Sequence, residues 1–342
     1  MPELETFNAN RVKSMLKNKK EWAFSLLAVT SYLLSLSGMT YALPSPQAPS
    51  RATPATVANA AKAGTPVSFN LKTGKTQVGE SVRRRTSSTS TRVSQPSSFS
   101  RTNAKPLVQE QLGGRGVKPN TLVAPNYIHV SDTASYPWST QTKLYVTYSN
   151  GNSKGCSGTL IAAKYVLTAG HCVYSKSDGG WAKTIEAIPG GTNKPFGSAY
   201  ATQVRSYTGW ASYQDPNYDI ALITLDREIG KKAGWLGYAY FPSIKGVTGY
   251  VAGYPDGYGF NGLNLYYHYG SVVSSSSRRV SYQIDTSGGQ QGAGVYQFSG
   301  GQRYVFAVHT DAGYHDISKN SAGTRIDSEK FDDLEAWIAS GQ

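Results

Sequence analysis

Three stretches of this 342-residue chain carry residue types that could do chemistry together. The first reads Cys156-Ser-Gly-Thr-Leu-Ile-Ala-Ala-Lys-Tyr-Val-Leu-Thr-Ala-Gly-His-Cys172; it holds both cysteines and sets His171 beside one of them. Imidazole exchanges a proton near neutral pH, which makes His171 a candidate general base. A Cys156–Cys172 bridge would close a loop of roughly 15 residues, stabilise the fold by about 3 kcal/mol and pin the histidine. The second stretch, Tyr218-Asp-Ile-Ala-Leu-Ile-Thr-Leu225, puts Asp219 immediately before an apolar run, 48 residues beyond His171. A buried carboxylate needs a partner; the plainer alternative is a strand or turn cap. The third is the glycine-rich Tyr282-Gln-Ile-Asp-Thr-Ser-Gly-Gly-Gln-Gln-Gly-Ala-Gly-Val-Tyr296.

The elements that must position these residues read as strands. From about Thr121 the chain consists of short β-type runs divided by Gly, Pro, Asn, Asp and Ser, among them 143–148, 199–207, 220–225, 249–253, 280–284, 294–298 and 304–308. Many short strands without an intervening helical pattern predict an all-β antiparallel sandwich or barrel pair. Only the end is helical: after Asp327 or Ser328 as N-cap, Phe331, Leu334, Trp337 and Ile338 fall on one face.

The N-terminal third differs in texture. Lys13, Lys17, Lys19 and Lys20 precede the apolar run Trp22–Leu43, and Thr40-Tyr41-Ala42 offers a small-x-small exit, so residues 1–42 are expected to be a signal peptide. Export suits two closely placed cysteines. Residues 43–120 are expected to be a disordered Ser/Thr/Arg-rich pro-region or linker. Positions 81–104 contain twelve Ser or Thr and five Arg, including Arg83-Arg84-Arg85, too little apolar surface to offset ordering entropy. Residues 121–342 form the globular domain.

The net charge of +13 belongs mostly to that leading region: residues 1–120 hold 17 Lys+Arg against 5 Asp+Glu, leaving 17 against 16 for the rest. A nearly neutral domain argues against nucleic-acid binding. Cys156, Cys172 and His171 lack a fourth ligand and zinc-site spacing, and the glycines lack a P-loop's Gly-Lys-Ser/Thr, so neither metal nor cofactor is expected. The 24 tyrosines suit half-buried sheet surfaces. His129, His268 and His315 have no partner motif.

Together the stretches resemble the chymotrypsin-like serine proteases, and the glutamyl endopeptidase branch in particular. Gly-Cys-Ser-Gly-Thr-Leu-Ile, Thr-Ala-Gly-His-Cys-Val-Tyr, Asn-Tyr-Asp-Ile-Ala, Val-Ala-Gly-Tyr-Pro, Ala-Val-His-Thr and Gly-Thr-Arg-Ile carry the likeness over roughly residues 124–340. The resemblance implies two packed antiparallel β-barrels with a C-terminal helix. It implies His171 as general base, Asp219 as the acid that orients it, and the backbone amides of Gly289 and residue 291 as an oxyanion hole. Thr286 and His309 match positions that receive a glutamate side chain, an arrangement that Asp311 would weaken if it faced inward.

One position departs. Where the family's Gly-Gln-Ser-Gly-Ser-Pro carries the serine nucleophile, this chain has Gln291, and Ala293-Gly294 follow in place of Ser-Pro. A carboxamide nitrogen is delocalised and cannot replace an activated hydroxyl. The expectation is therefore a secreted, monomeric pseudoprotease without stable membrane insertion after processing, binding peptides or proteins with a preference for acidic residues. Two alternatives stay open: an active endopeptidase cutting after Glu or Asp with an atypical residue at 291, with Ser287 or Thr286 as neighbouring hydroxyls, and an exoprotein that attaches to acidic cell-surface polymer through its basic leader.

Overall fold

The computed structural model describes residues 63–79, 89–97, 127–257, 259–312 and 320–341. The expected signal peptide, the Arg83–Arg85 run and His315 lie outside them.

Two antiparallel barrels carry the site. The first joins strands Gln141–Tyr148, Ser153–Ala162, Tyr165–Thr168, Ala221–Leu225, Ala199–Tyr207 and Gly180–Pro189, and closes where Ala199 and Tyr200 pair with Ala187 and Glu186. The second joins Gly294–Ser299, Thr248–Gly253, Tyr266–Ser275, Arg279–Tyr282, Ser321–Arg325 and Gln302–Asp311, and closes between the first and last of these. Alternation decides which side chains fill the interior. Along Gln141–Tyr148, Leu144, Val146 and Tyr148 are fully buried while Tyr145 between them is exposed. Val251, Val272, Val280, Tyr282, Val295 and Phe306 fill the second barrel in the same way.

The leading region departs from its expected lack of structure in two places. Strand Pro66–Asn70 pairs with the edge of Ala199–Tyr207, Val67 opposite Ser206, and turns back through Lys75–Val78. Phe69 stacks on Trp181 with ring centroids 5.5 Å apart. Further on, Arg92 and Val93 pair with Tyr240 and Ala239 of strand Gly237–Tyr240. Arg92 donates to Asp332 at 2.6 Å and Glu335 at 3.2 Å on the C-terminal helix and lies 4.4 Å over the Phe331 ring. Composition averaged over 43–120 conceals these segments. A strand added to an existing edge gains its hydrogen bonds from the barrel and needs only a few apolar side chains of its own.

Helix Ser328–Ala339 presses Phe331, Leu334 and Trp337 onto the body, as its periodicity predicts. Asp327 is the N-cap: Oδ1 accepts from the Lys330 amide at 2.8 Å, and Oδ2 lies 2.7 Å from the Lys330 ammonium. Lys330 is 1% exposed; burial pulls its pKa down and the Asp327 charge opposes that. Asp327→Ala removes a cap and orphans a buried cation together, so it is expected to destabilise the protein by about 3–5 kcal/mol. Urea denaturation near neutral pH measures this, and Asp327→Asn, whose single carbonyl oxygen can still accept from the Lys330 amide but gives the ammonium no carboxylate, should lose less.

Candidate active site

His171 sits on a single helical turn, Gly170–Val173, just beyond the buried strand Tyr165–Thr168. The Cys156–Cys172 disulfide ties this turn to strand Ser153–Ala162, and the Tyr148 hydroxyl donates to the His171 carbonyl at 2.8 Å. Gly170 has no room for a side chain: a Cβ there would stand 2.8 Å from the Trp210 ring and 3.1 Å from Asp219 Oδ1.

Asp219 follows the short turn Pro216–Tyr218, next to strand Ala221–Leu225, and is 5% exposed. Its Oδ1 accepts from the His171 backbone amide and its Oδ2 from His171 Nδ1, each at 2.8 Å. Since a carboxylate only accepts, the imidazole proton resides on Nδ1 and Nε2 presents a lone pair. Burial pulls the His171 pKa down, but the charge and hydrogen bond of Asp219 more than reverse this, and the net shift is upward. Nε2 itself is buried and has no hydrogen-bond partner among the described residues.

The glycine-rich loop is held through its backbone. Ser157 Oγ donates to Gly289 O at 2.7 Å, the Ser157 amide to Gln291 O at 2.9 Å, and the Gly292 amide to His309 O at 2.8 Å. Gly289 adopts φ +73°, and a Cβ there would lie 2.3 Å from the Tyr254 carbonyl. Among the described residues, the amides of Gly289 and Gln291 donate to no protein acceptor, which leaves both available to an oxyanion. Neither neighbouring hydroxyl faces the imidazole. Ser287 Oγ donates to Asp256 O at 2.7 Å, and Thr286 Oγ1 lies 2.8 Å from Ser321 Oγ; both residues are fully buried.

His309, on strand Gln302–Asp311, is also fully buried. Tyr282 donates its hydroxyl proton to Ala322 O at 3.0 Å, so it accepts from His309 Nδ1 at 2.7 Å. Nε2 is again an unpartnered lone pair among the described residues. Asp311 turns away, 60% exposed and paired with Arg279. Thr286 and His309 make their hydrogen bonds with different partners.

Burial depresses the His309 pKa to about 4, so the ring is neutral at pH 7. A carboxylate at Nε2 must then arrive with a proton. A histidine depressed in this way supports folding fully above the unfolded pKa of about 6.5 and loses its contribution as pH falls through 4. That loss amounts to about 3 kcal/mol. His309→Gln should abolish this part of the acid sensitivity, which urea denaturation at pH 7 and pH 4 would detect as a smaller stability difference than in the parent chain.

Two neighbours of His171 had no motif to announce them. Trp210 meets the imidazole edge-on at 6.1 Å and donates Nε1–H to Tyr174 O at 3.1 Å. Lys154 stands at the rim of a groove of about 480 Å³ that also includes His171 and Trp210. Donor atoms of Cys156, His171 and Cys172 lie within 4.8 Å of one another, but both sulfurs are committed to the disulfide.

The trypsin family model matches residues 128–301. The chain is 33% identical over 228 residues to an extracellular metalloprotease of Bacillus subtilis, covering 65% of this chain and 71% of that protein. It is 36% identical over 221 residues to the glutamyl endopeptidase of Bacillus licheniformis, covering 62% and 67%. A solved structure of a Glu endopeptidase in complex with MPD superposes with a TM-score of 0.55 at 25% identity, over 64% of this chain and 98% of that one. Barrel closure, motif order and sequence likeness agree: the chain belongs to the trypsin-like, chymotrypsin-fold serine protease family.

Proposed function

We propose that this protein is an exported, glutamyl endopeptidase-like member of the family that binds peptides and does not cut them. The observation that carries the reading is His171 Nε2, held in the acceptor tautomer by Asp219 and met by no hydroxyl among the described residues, while position 291 is a glutamine. Loss of the nucleophile in such triads reduces turnover about a millionfold; from ~10 s⁻¹ that leaves roughly one event every day or two. Binding does not need the nucleophile. The amides of Gly289 and Gln291 can hold a peptide carbonyl, and a glutamate side chain that reaches His309 Nε2 is held there together with a proton, which makes its binding pH-dependent.

Export is supported by the basic and apolar leader and by the extracellular name of the Bacillus subtilis relative. Residues 1–42 then act as the signal, 43–120 as the leading segment and 121–342 as the protease-like domain, working as a monomer.

The test uses the full chain with a fluorogenic peptide carrying Glu before the reporter and with a fluorophosphonate that labels active serines. Saturable binding of the peptide without turnover or labelling is the expected result. Turnover that disappears in His171→Ala overturns the reading and restores an active peptidase.

A further inference from the structure

The groove beside His171 carries charged side chains that the His171–Asp219 pair does not use. Besides His171 it is lined by the aromatic side chains of Trp210 and Tyr174 and by the polar Lys154, Ser175, Lys176 and Gln214. Lys154 Nζ lies 2.5 Å from Asp178 Oδ2, yet the two partners are unequally presented. The Asp178 side chain is 7% exposed and that of Lys154 is 49% exposed. The Asp178 carboxylate also accepts from Asn152 Nδ2 at 2.8 Å and Ser175 Oγ at 2.5 Å. These hydrogen bonds, with the Lys154 ammonium, hold its pKa well below the usual carboxylate range. Its negative end is thus turned inward and saturated. Lys176 is exposed and makes no ion pair among the described residues. A molecule entering the groove meets two ammonium groups, one of them without a counter-charge.

We infer that this groove is a second acid-selective subsite, taking a glutamate or aspartate side chain of a bound peptide at a position flanking the residue read by His309. The aliphatic part of such a side chain covers the Trp210 ring, and its carboxylate reaches the Lys154 and Lys176 ammoniums, with the second N–H of Gln214 Nε2 as a further donor. A lysine at the same position is repelled. This rests on the peptide-binding reading above and adds a second site of selection to it. Charge pairs at a partly exposed rim are individually modest, so discrimination between Glu and Gln is expected to be about five- to tenfold at low salt.

Fluorescein-labelled extended peptides with a fixed central Glu, varied to Glu, Gln or Lys at each flanking position, test this against the full chain and Lys176→Glu. One flanking position should show Glu binding about five- to tenfold tighter than Gln, with Lys weaker still. That order should flatten in Lys176→Glu and weaken in about 0.5 M salt, where screening is strong. A parallel peptide with Gln in place of the central Glu should lose the same factor in affinity with the parent chain and with Lys176→Glu. Peptides that bind with no flanking preference overturn the subsite and leave peptide binding intact. Failure of every peptide to bind overturns both.

Discussion

Gln291→Ser is expected to raise hydrolysis of a Glu-containing fluorogenic peptide by about 10⁴- to 10⁶-fold over the parent chain. The geometry around position 291 suits such an exchange. Nε2 of His171 presents a lone pair, and the amides of Gly289 and Gln291 donate to no acceptor among the described residues. The strand that follows is registered, since Gly294 N–H donates to Thr159 Oγ1 at 3.0 Å and Gly294 pairs with Val308. Serine is smaller than glutamine, so the exchange relieves space instead of demanding it. A variant that binds the peptide yet shows no turnover and no fluorophosphonate labelling would mean that the Ala293-Gly294 departure has moved the loop out of reactive geometry.

In that serine-bearing background, Asp219→Asn should lower kcat by about 10⁴ while leaving the fold intact. An asparagine oxygen can still accept the His171 backbone amide where Oδ1 does now. What it cannot do is hold the imidazolium that forms when the base takes up a proton. The two enzymes should also differ in pH dependence. Catalysis requires neutral His171, whose pKa the Asp219 charge raises, so the rate climbs with pH through an inflection above that of a free imidazole. Removing the carboxylate should move the inflection downward. An unchanged profile with an unchanged rate would show that Asp219 is a structural cap and no part of the proton relay.

How far the sequence revealed all this depends on whether neighbours in space were also neighbours in the chain. His171 was legible because its cysteine, its turn and its strand form one continuous stretch, and Asp219 because it borders an unmistakable buried strand. The Tyr282–His309 hydrogen bond was not legible: it depends on two strands, Arg279–Tyr282 and Gln302–Asp311, reaching the same depth through their shared neighbour Ser321–Arg325. Lys154 reaches the groove through the register that pairs it with Val146, which nothing in its local spacing announces. Trp210 arrives on a turn after strand Ala199–Tyr207. Strand Pro66–Asn70 was hidden by composition, since its partner supplies most of what holds it.

That last strand ties the leading segment to the groove wall. Phe69 stacks on Trp181, Trp181 meets Tyr174 at 4.9 Å, and Tyr174 accepts the Trp210 indole hydrogen bond. A second attachment holds the same segment at Arg92 on the far helix. Two attachments on one tether make each docking intramolecular, with a high effective concentration that depends on the chain between them. A protease cutting at Arg83-Arg84-Arg85 would sever that tether without touching either contact. Strand Pro66–Asn70 would then be held to the barrel edge by noncovalent contacts alone, and its occupancy of that edge would become a function of dilution.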